Sequence, residues 1–361
     1  MTPTNPLQQL SALGQSVWLD SLRRSYLAED GYLQRLIAAG EIEGLTSNPT
    51  IFEQAIEQED TYDAQLAELA GTDPREALWA LMKRDVVGAC DHFAGLYADS
   101  DGTKGFVSIE VDPSKAFDTE ETVSEGLLLF RELDRPNLMV KVPGTEPGLE
   151  AITRLVAEGV NVNVTLLFSV ARYEAVAAAY LEGLRRRADA GGDLTRVASV
   201  ASFFVSRVDS KVSALLGAES PKVATAGIAN ARVAYGSFER IFGGPDFAEL
   251  REAGARVQRP LWASTSTKDP VLSPVLYVEE LAGPDTVNTM PETTLDATRA
   301  GALIEDRISG SGAEAAQQLA RLAEQGVDLD QITKELETEG VERFVASFEA
   351  AVEGIRPHVS R

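Results

Sequence analysis

The stretch Asn137-Leu-Met-Val-Lys-Val-Pro-Gly-Thr-Glu-Pro-Gly-Leu-Glu-Ala-Ile-Thr-Arg-Leu-Val-Ala-Glu-Gly-Val-Asn-Val-Asn-Val-Thr-Leu166 reads as strand, helix, strand. Asn137–Val142 and Val160–Leu166 are short β-rich runs. Between them Leu149, Ile152, Leu155 and Val156 recur at helical spacing, and Gly159 ends the helix. Strands that alternate with helices pack as a parallel sheet with the helices outside it.

Outward from this unit the same alternation continues in both directions. Further strand-like runs are Ser16–Asp20, Gly44–Asn48, Gly105–Asp112, Arg196–Ser202, Arg259–Ser264 and Thr286–Met290, which makes eight with the first two. One helix opens with Asp73 as N-cap and Pro74 at N1, and carries Leu78, Met82, Val86, Ala89, Phe93 and Leu96 on one stripe. Another opens at Ser169, carries Tyr173, Val176, Ala177, Tyr180, Leu181 and Leu184, and stops at Gly191-Gly192. Ile228, Ala231, Tyr235, Phe238 and Ile241 mark one more. Eight repeats predict an α/β fold that closes as a (β/α)8 TIM barrel. A doubly wound sheet would show a Gly-rich first turn, and no G-x-G-x-x-G follows any of the runs. The expectation is a single domain over residues 1–361. Residues 292–361 are read as largely helical and packed on the barrel, with Gly310-Ser-Gly312 and Gly340 as breaks.

Composition narrows the function classes. The 361 residues are 44% hydrophobic and 25% charged, in the range of soluble globular proteins. Lys and Arg number 33 against 56 Asp and Glu, a formal net charge of −23, which repels nucleic acid and anionic membrane. The single Cys90 excludes an internal disulfide, and with only His92 and His358 neither a Ser-His-Asp triad nor a His/Cys zinc site is expected. A polar start, Met1-Thr-Pro-Thr-Asn-Pro6, and the lack of a bilayer-length apolar run point to a cytoplasmic protein.

Active sites of such barrels lie at the C-terminal ends of the strands. The polar residues there are Asp20, Asn48, Glu110, Lys141, Asn163 with Thr165, Ser202, Ser264 and Asn288. Lys141 is the sharpest of them. Side chains alternate along a strand, so Leu138, Val140 and Val142 face the outer helices while Met139 and Lys141 face the barrel axis. A buried amine that sheds its proton is a nucleophile toward carbonyls, the basis of Schiff-base catalysis. The alternative is a lysine paired with a carboxylate or reaching solvent. Asp20 and Glu110 are acids able to shuttle protons, or carboxylates at loops and caps. Asp112, before Pro113, reads as turn chemistry. Asn163 and Thr165 share a face and can hold a water or a sugar hydroxyl, or simply satisfy each other's neighbours. Ser264-Thr-Ser-Thr-Lys268, with Ser202 and Arg207, makes a candidate phosphate cradle or an ordinary polar loop.

At these residues the sequence resembles the transaldolase family in its longer bacterial form. The resemblance runs through Ser16-Val-Trp-Leu-Asp20, Leu45-Thr-Ser-Asn-Pro-Thr-Ile-Phe52, Val107-Ser-Ile-Glu-Val-Asp112 and Asn137-Leu-Met-Val-Lys-Val-Pro-Gly-Thr145. It continues through Val160–Ser169, Val200–Asp209, Trp262–Lys268 and Gly283–Pro291, nearly the whole chain. It implies a cofactor-free and metal-free transferase of the pentose phosphate pathway. Such an enzyme moves a dihydroxyacetone unit from sedoheptulose 7-phosphate to glyceraldehyde 3-phosphate, giving erythrose 4-phosphate and fructose 6-phosphate. The resemblance further implies Lys141 as Schiff-base lysine, Asp20 as acid/base, and Glu110 with Thr165 holding the catalytic water. Asn48, Asn163 and Ser202 would contact the dihydroxyacetone hydroxyls, and Arg207 and Ser264 the phosphate. Short forms of the family carry an arginine where Ser266 stands, so Lys268 is expected to supply that charge. The extra sugar-isomerase domain of the fused forms is not expected. The partners implied are small sugar phosphates, with monomer and homodimer both open.

Three other readings stand beside it. A fructose 6-phosphate aldolase uses the same lysine and releases free dihydroxyacetone; that branch is shorter and carries an amide at the Glu110 position. A carboxylate enzyme would hold Mg²⁺ on Asp20, Glu110 and Asp112. A non-catalytic barrel would bind sugar phosphate without forming an imine.

Overall fold

The computed structural model describes residues 5–217 and 225–360. Eight parallel strands close on themselves in chain order: β1 (Gln15–Leu19), β2 (Gly44–Leu45), β3 (Phe106–Glu110), β4 (Leu138–Pro143), β5 (Val162–Leu167), β6 (Ser199–Phe204), β7 (Gln258–Ala263) and β8 (Thr286–Met290). The expected (β/α)8 barrel is therefore the observed one. The helices are α1 (Pro6–Leu13), α2 (Tyr32–Ala38), α3 (Pro49–Gln58), α4 (Asp63–Glu68), α5 (Pro74–Asp99), α6 (Thr119–Leu133), α7 (Glu146–Ala157) and α8 (Val170–Asp189). They continue with α9 (Ser206–Leu216), α10 (Ala226–Phe242), α11 (Pro245–Glu252), α12 (Leu276–Glu280), α13 (Glu292–Gly301), α14 (Gly312–Glu324) and α15 (Leu329–Val359).

Local chemistry sets these boundaries. Asp73 accepts from Arg75 N at 2.9 Å and Ser169 from Arg172 N at 3.1 Å, the N-caps of α5 and α8. Alternation along the strands divides the interior into two apolar layers. Leu138, Val140, Val142, Val162 and Val164 pack outward against the helices. Trp18, Phe106, Met139, Val200, Leu261 and Val287 fill the barrel axis. Trp18 leaves no room beside it on the neighbouring strand: a Cβ on its register partner Gly44 would sit 2.6 Å from its indole.

Several boundaries differ from the pattern. The second strand has two residues rather than five, because the chain turns at once to use Asn48 as the N-cap of α3, where its side chain accepts from Ile51 N at 3.0 Å. The sixth runs from Ser199 to Phe204, since Val197 N is tied back into a turn by Leu194 O. Strand β5 carries a register shift between Val164 and Leu167, with Leu166 at φ +61°. The bulge lets Thr165 and Leu166 both join the inner side, against alternation. Gly340 is not a break. It lies inside α15, where a Cβ would come within 2.9 Å of Leu166 Cδ2.

After β8 the chain forms α13, α14 and α15. Helix α14 packs on α10, with a Cβ on Gly312 only 3.3 Å from Gly236 Cα. Helix α15 crosses the C-terminal end of the barrel. It is tied by Arg172 to Glu337 (3.1 Å), by Lys211 to Glu339 (2.5 Å) and by Thr50 Oγ1 donating to Ser347 Oγ (2.8 Å). Cys90 is buried in α5, and burial pushes its thiol up to about 12, which leaves it inert. Among the described residues no helix is long and apolar enough to cross a membrane.

Candidate active site

A cavity of about 250 Å³ opens at the C-terminal end of the strands. Asp20, Asn48, Lys141, Thr165, Ser202, Arg207, Ser264 and Lys268 line it, together with Thr46, Phe204, Ala263, Ser266, Thr289, Pro291 and Phe344. Eight of the ten residues to which the resemblance gives a role thus meet in one chamber. The other two, Glu110 and Asn163, stand one contact behind the wall.

Lys141 lies on the floor, 4% exposed. It is the register partner of Glu110 on β3 and of Asn163 on β5. Its Nζ lies 3.3 Å from Glu110 Oε2 and donates to the Ser47 carbonyl at 3.2 Å. The ring of Phe344, from α15, faces the same nitrogen with its centroid 5.6 Å away. Burial pushes Glu110 up to about 7; Lys141 opposes the shift, and Asp20 adds to it. A carboxyl near 7 is half protonated at neutral pH, the condition for acid and base steps in one cycle.

The polar groups around this pair are ordered in two chains. Thr46 Oγ1 donates to Asp20 Oδ1 at 2.7 Å and lies 2.7 Å from Thr289 Oγ1. Ser202 Oγ donates to Asn163 Oδ1 at 2.7 Å, and Asn163 Nδ2 donates to Ser108 Oγ at 3.0 Å. Glu110 Oε1 and Thr165 Oγ1 are buried with no hydrogen-bond partner in the protein, and buried Glu110 Oε2 has only Lys141 Nζ at 3.3 Å. Such oxygens suit a bound water, which needs two to four polar partners.

Cations gather at the rim. Arg207, in the first turn of α9, lies over the Phe204 ring at 5.3 Å, and its buried Nη1 has no partner. Burial lowers its pKa, and repulsion from Arg343 adds to the shift against Glu339. Ser264 has φ +55°, uncommon for a residue with a side chain. Its hydroxyl lies 2.8 Å from Ser206 Oγ, and its carbonyl accepts from Ser206 N at 3.1 Å. These bonds tie the β7 loop to the start of α9, where the helix end favours anions. Lys268 is exposed, and its Nζ donates to Ser266 Oγ at 3.0 Å.

Two candidates do not join the chamber. Asp112 caps the turn Pro113–Lys115, accepting from Ser114 N at 2.9 Å, and pairs with Arg75. It therefore does not gather with Asp20 and Glu110 into a carboxylate set. Asn288 faces outward, where its Oδ1 accepts from Thr265 Oγ1 at 3.0 Å; Thr289 takes the inner position. Parity with the axial Val287 assigns that position to Thr289. Thr46 is legible in the same way, two residues before Asn48. Phe344 has no local signal, because its apolar spacing with Val341 and Phe348 shows a buried face and not what it faces.

A buried amine beside a carboxyl raised by burial, walled by hydroxyls and amides and rimmed by cations, defines a barrel enzyme acting on a small, oxygen-rich anion. The chain belongs to the family described as Transaldolase/Fructose-6-phosphate aldolase, which it matches over residues 17–355. It is 51% identical over 352 residues to a transaldolase of Acidothermus cellulolyticus, covering 96% of this chain and 94% of that one. A transaldolase of Mycolicibacterium smegmatis is 48% identical over 354 residues, with 96% and 95% covered. One of Mycobacterium tuberculosis is 46% identical over 369 residues, with 99% of each chain covered.

Proposed function

We propose that this protein is a transaldolase of the pentose phosphate pathway, working through a Schiff base on Lys141 without metal or cofactor. It moves a dihydroxyacetone unit from sedoheptulose 7-phosphate to glyceraldehyde 3-phosphate. The observation that carries the reading is Lys141 Nζ on the cavity floor, 3.3 Å from a carboxyl held near 7. The named relatives, at 46–51% identity over almost the whole chain, support transfer over release of free dihydroxyacetone.

The steps follow from the positions. The Lys141 amine adds to the ketone carbon, and Glu110 with a water on Thr165 carries the protons as the carbinolamine loses water. Asp20 then takes the proton of the C4 hydroxyl. The C3–C4 bond breaks, erythrose 4-phosphate leaves, and the electron pair passes into the iminium to give an enamine on Lys141. The enamine attacks the aldehyde carbon of glyceraldehyde 3-phosphate, Asp20 returns its proton, and water releases fructose 6-phosphate. Asn48, Asn163 and Ser202 orient the hydroxyls of the three-carbon unit. Arg207, Ser264 and Lys268 hold the phosphate, with Lys268 reaching back to the Ser266 position in place of an arginine. Sugar phosphates are charged and stay where they are made, so the reading places the protein in the cytoplasm.

Borohydride reduction with fructose 6-phosphate, followed by intact mass and peptide mapping, tests this. A reduced three-carbon adduct on Lys141 is expected, and formation of sedoheptulose 7-phosphate when erythrose 4-phosphate is added. No adduct on folded protein that binds sugar phosphate overturns the Schiff-base reading. An adduct with dihydroxyacetone release and no transfer makes the protein an aldolase.

A further inference from the structure

Helix α15 lies across the cavity in a way that the steps above do not use. Phe344 is 5% exposed, lines the chamber, and presents its ring to Lys141 Nζ. The helix rests there on a built seat. Leu166 holds φ +61°, a left-handed backbone state that is unfavourable for a residue with a side chain. An unbulged strand would send Leu166 outward to the helices. The bulge instead turns it toward α15, one residue after Thr165, and Gly340 leaves space where a Cβ would stand 2.9 Å from Leu166 Cδ2. Leu166, Phe168, Phe204, Val341 and Phe344 form part of one buried apolar cluster. The ion pairs of Glu337 with Arg172 and of Glu339 with Lys211 clamp the helix from two neighbouring elements.

A transferase that carries an enamine has a specific hazard. Protonation of the enamine carbon regenerates an iminium. Water then adds to the iminium carbon, the C–N bond breaks, and dihydroxyacetone leaves with the Lys141 amine restored. The acceptor aldehyde competes with that proton, delivered by water, for the enamine carbon. An apolar ring against the nitrogen slows water and leaves the aldehyde's path through the polar mouth open. We propose that the Phe344 face of α15, seated on Leu166 and Gly340, is the wall that excludes water from the Lys141-bound fragment and so sets transfer over release. The proposal rests on the Schiff-base reading of Lys141.

The test measures two products from fructose 6-phosphate: free dihydroxyacetone without acceptor, and sedoheptulose 7-phosphate with erythrose 4-phosphate. Phe344→Ala should raise the ratio of release to transfer about tenfold, a shift in competing barriers of about 1.4 kcal/mol. Phe344→Leu keeps most of the volume and should raise it about threefold; it carries the test if the alanine variant does not fold. Gly340→Ala puts a methyl against Leu166 Cδ2, so the leucine or α15 must leave its seat, and the ratio should rise as well. Borohydride trapping is run on every variant. Unchanged ratios in Phe344→Leu and Gly340→Ala, with Lys141 still trapped, overturn the wall and leave the Schiff-base reading intact. Absence of an adduct in the unaltered protein overturns that reading instead.

Discussion

Glu110 and Lys141 are register partners on adjacent parallel strands, and Glu110 Oε2 stands 3.3 Å from Lys141 Nζ inside the barrel. Both are nearly unexposed, so solvent does little to screen the pair. The geometry makes the carboxyl a buried neighbour of the amine rather than a surface counter-ion.

The first prediction concerns pH. Glu110 has an ordinary value of 4.5 and stands at about 7 in the folded chain. The folded state therefore binds this proton more tightly. The group costs nothing below about 4.5, where it is protonated in both states; its ionisation destabilises the fold progressively up to about 7 and fully above that. Glu110→Gln should flatten the loss of thermal stability across that window. It should also remove a limb near pH 7 from the kcat profile. Melting curves and kcat measured from pH 4.5 to 8 check both.

Lys141→Arg keeps a cation beside Glu110 but not a nucleophile at neutral pH. Turnover should fall more than about 1,000-fold and the borohydride adduct should vanish. Circular dichroism should show a folded barrel. Activity near the original level would remove Lys141 from the chemistry.

Ser202 and Asn163 form a buried pair at 2.7 Å, and Asn163 is fully buried. Ser202→Ala leaves Asn163 Oδ1 without its donor, a cost of about 1–3 kcal/mol. Urea denaturation should show a loss of that size, with a higher KM for fructose 6-phosphate. An unchanged midpoint would mean that the pair contributes nothing to the fold.

The rim cations should differ in weight. Arg207 is mostly buried and has an unpartnered Nη1, whereas Lys268 is exposed. Arg207→Gln should raise KM for fructose 6-phosphate and Ki for inorganic phosphate about 10–100-fold, the range of a lost charge-assisted contact. Lys268→Ala should change either by about threefold or less, as for an exposed charge. The reverse order would move the phosphate to the Ser266 loop.

The barrel and most of the chamber are legible in sequence because both follow from local rules. Alternation along Leu138–Pro143 places Lys141 on the axis, and strand ends collect Asp20, Thr165 and Ser202. Three things escape those rules. The bulge at Leu166 breaks the alternation that reading a strand assumes. Asn288 and Thr289 are both polar, and only register with Val287 tells which faces in. Phe344 reaches Lys141 from about two hundred residues downstream, and no spacing in its helix records that contact. Gly340 misleads for the same reason: a residue that looks like a helix stop is a clearance for a distant side chain.

The order of elements has a consequence for how the enzyme is made. Helix α15 follows every strand in the chain. During synthesis all eight strands, with Glu110 and Lys141 on the third and fourth, are translated before Phe344. A chain halted after β8 carries Lys141 but lacks the helix whose Phe344 faces it. With the roles proposed for Lys141 and Phe344, selectivity is the last property that synthesis adds, after the strands and after the nucleophile.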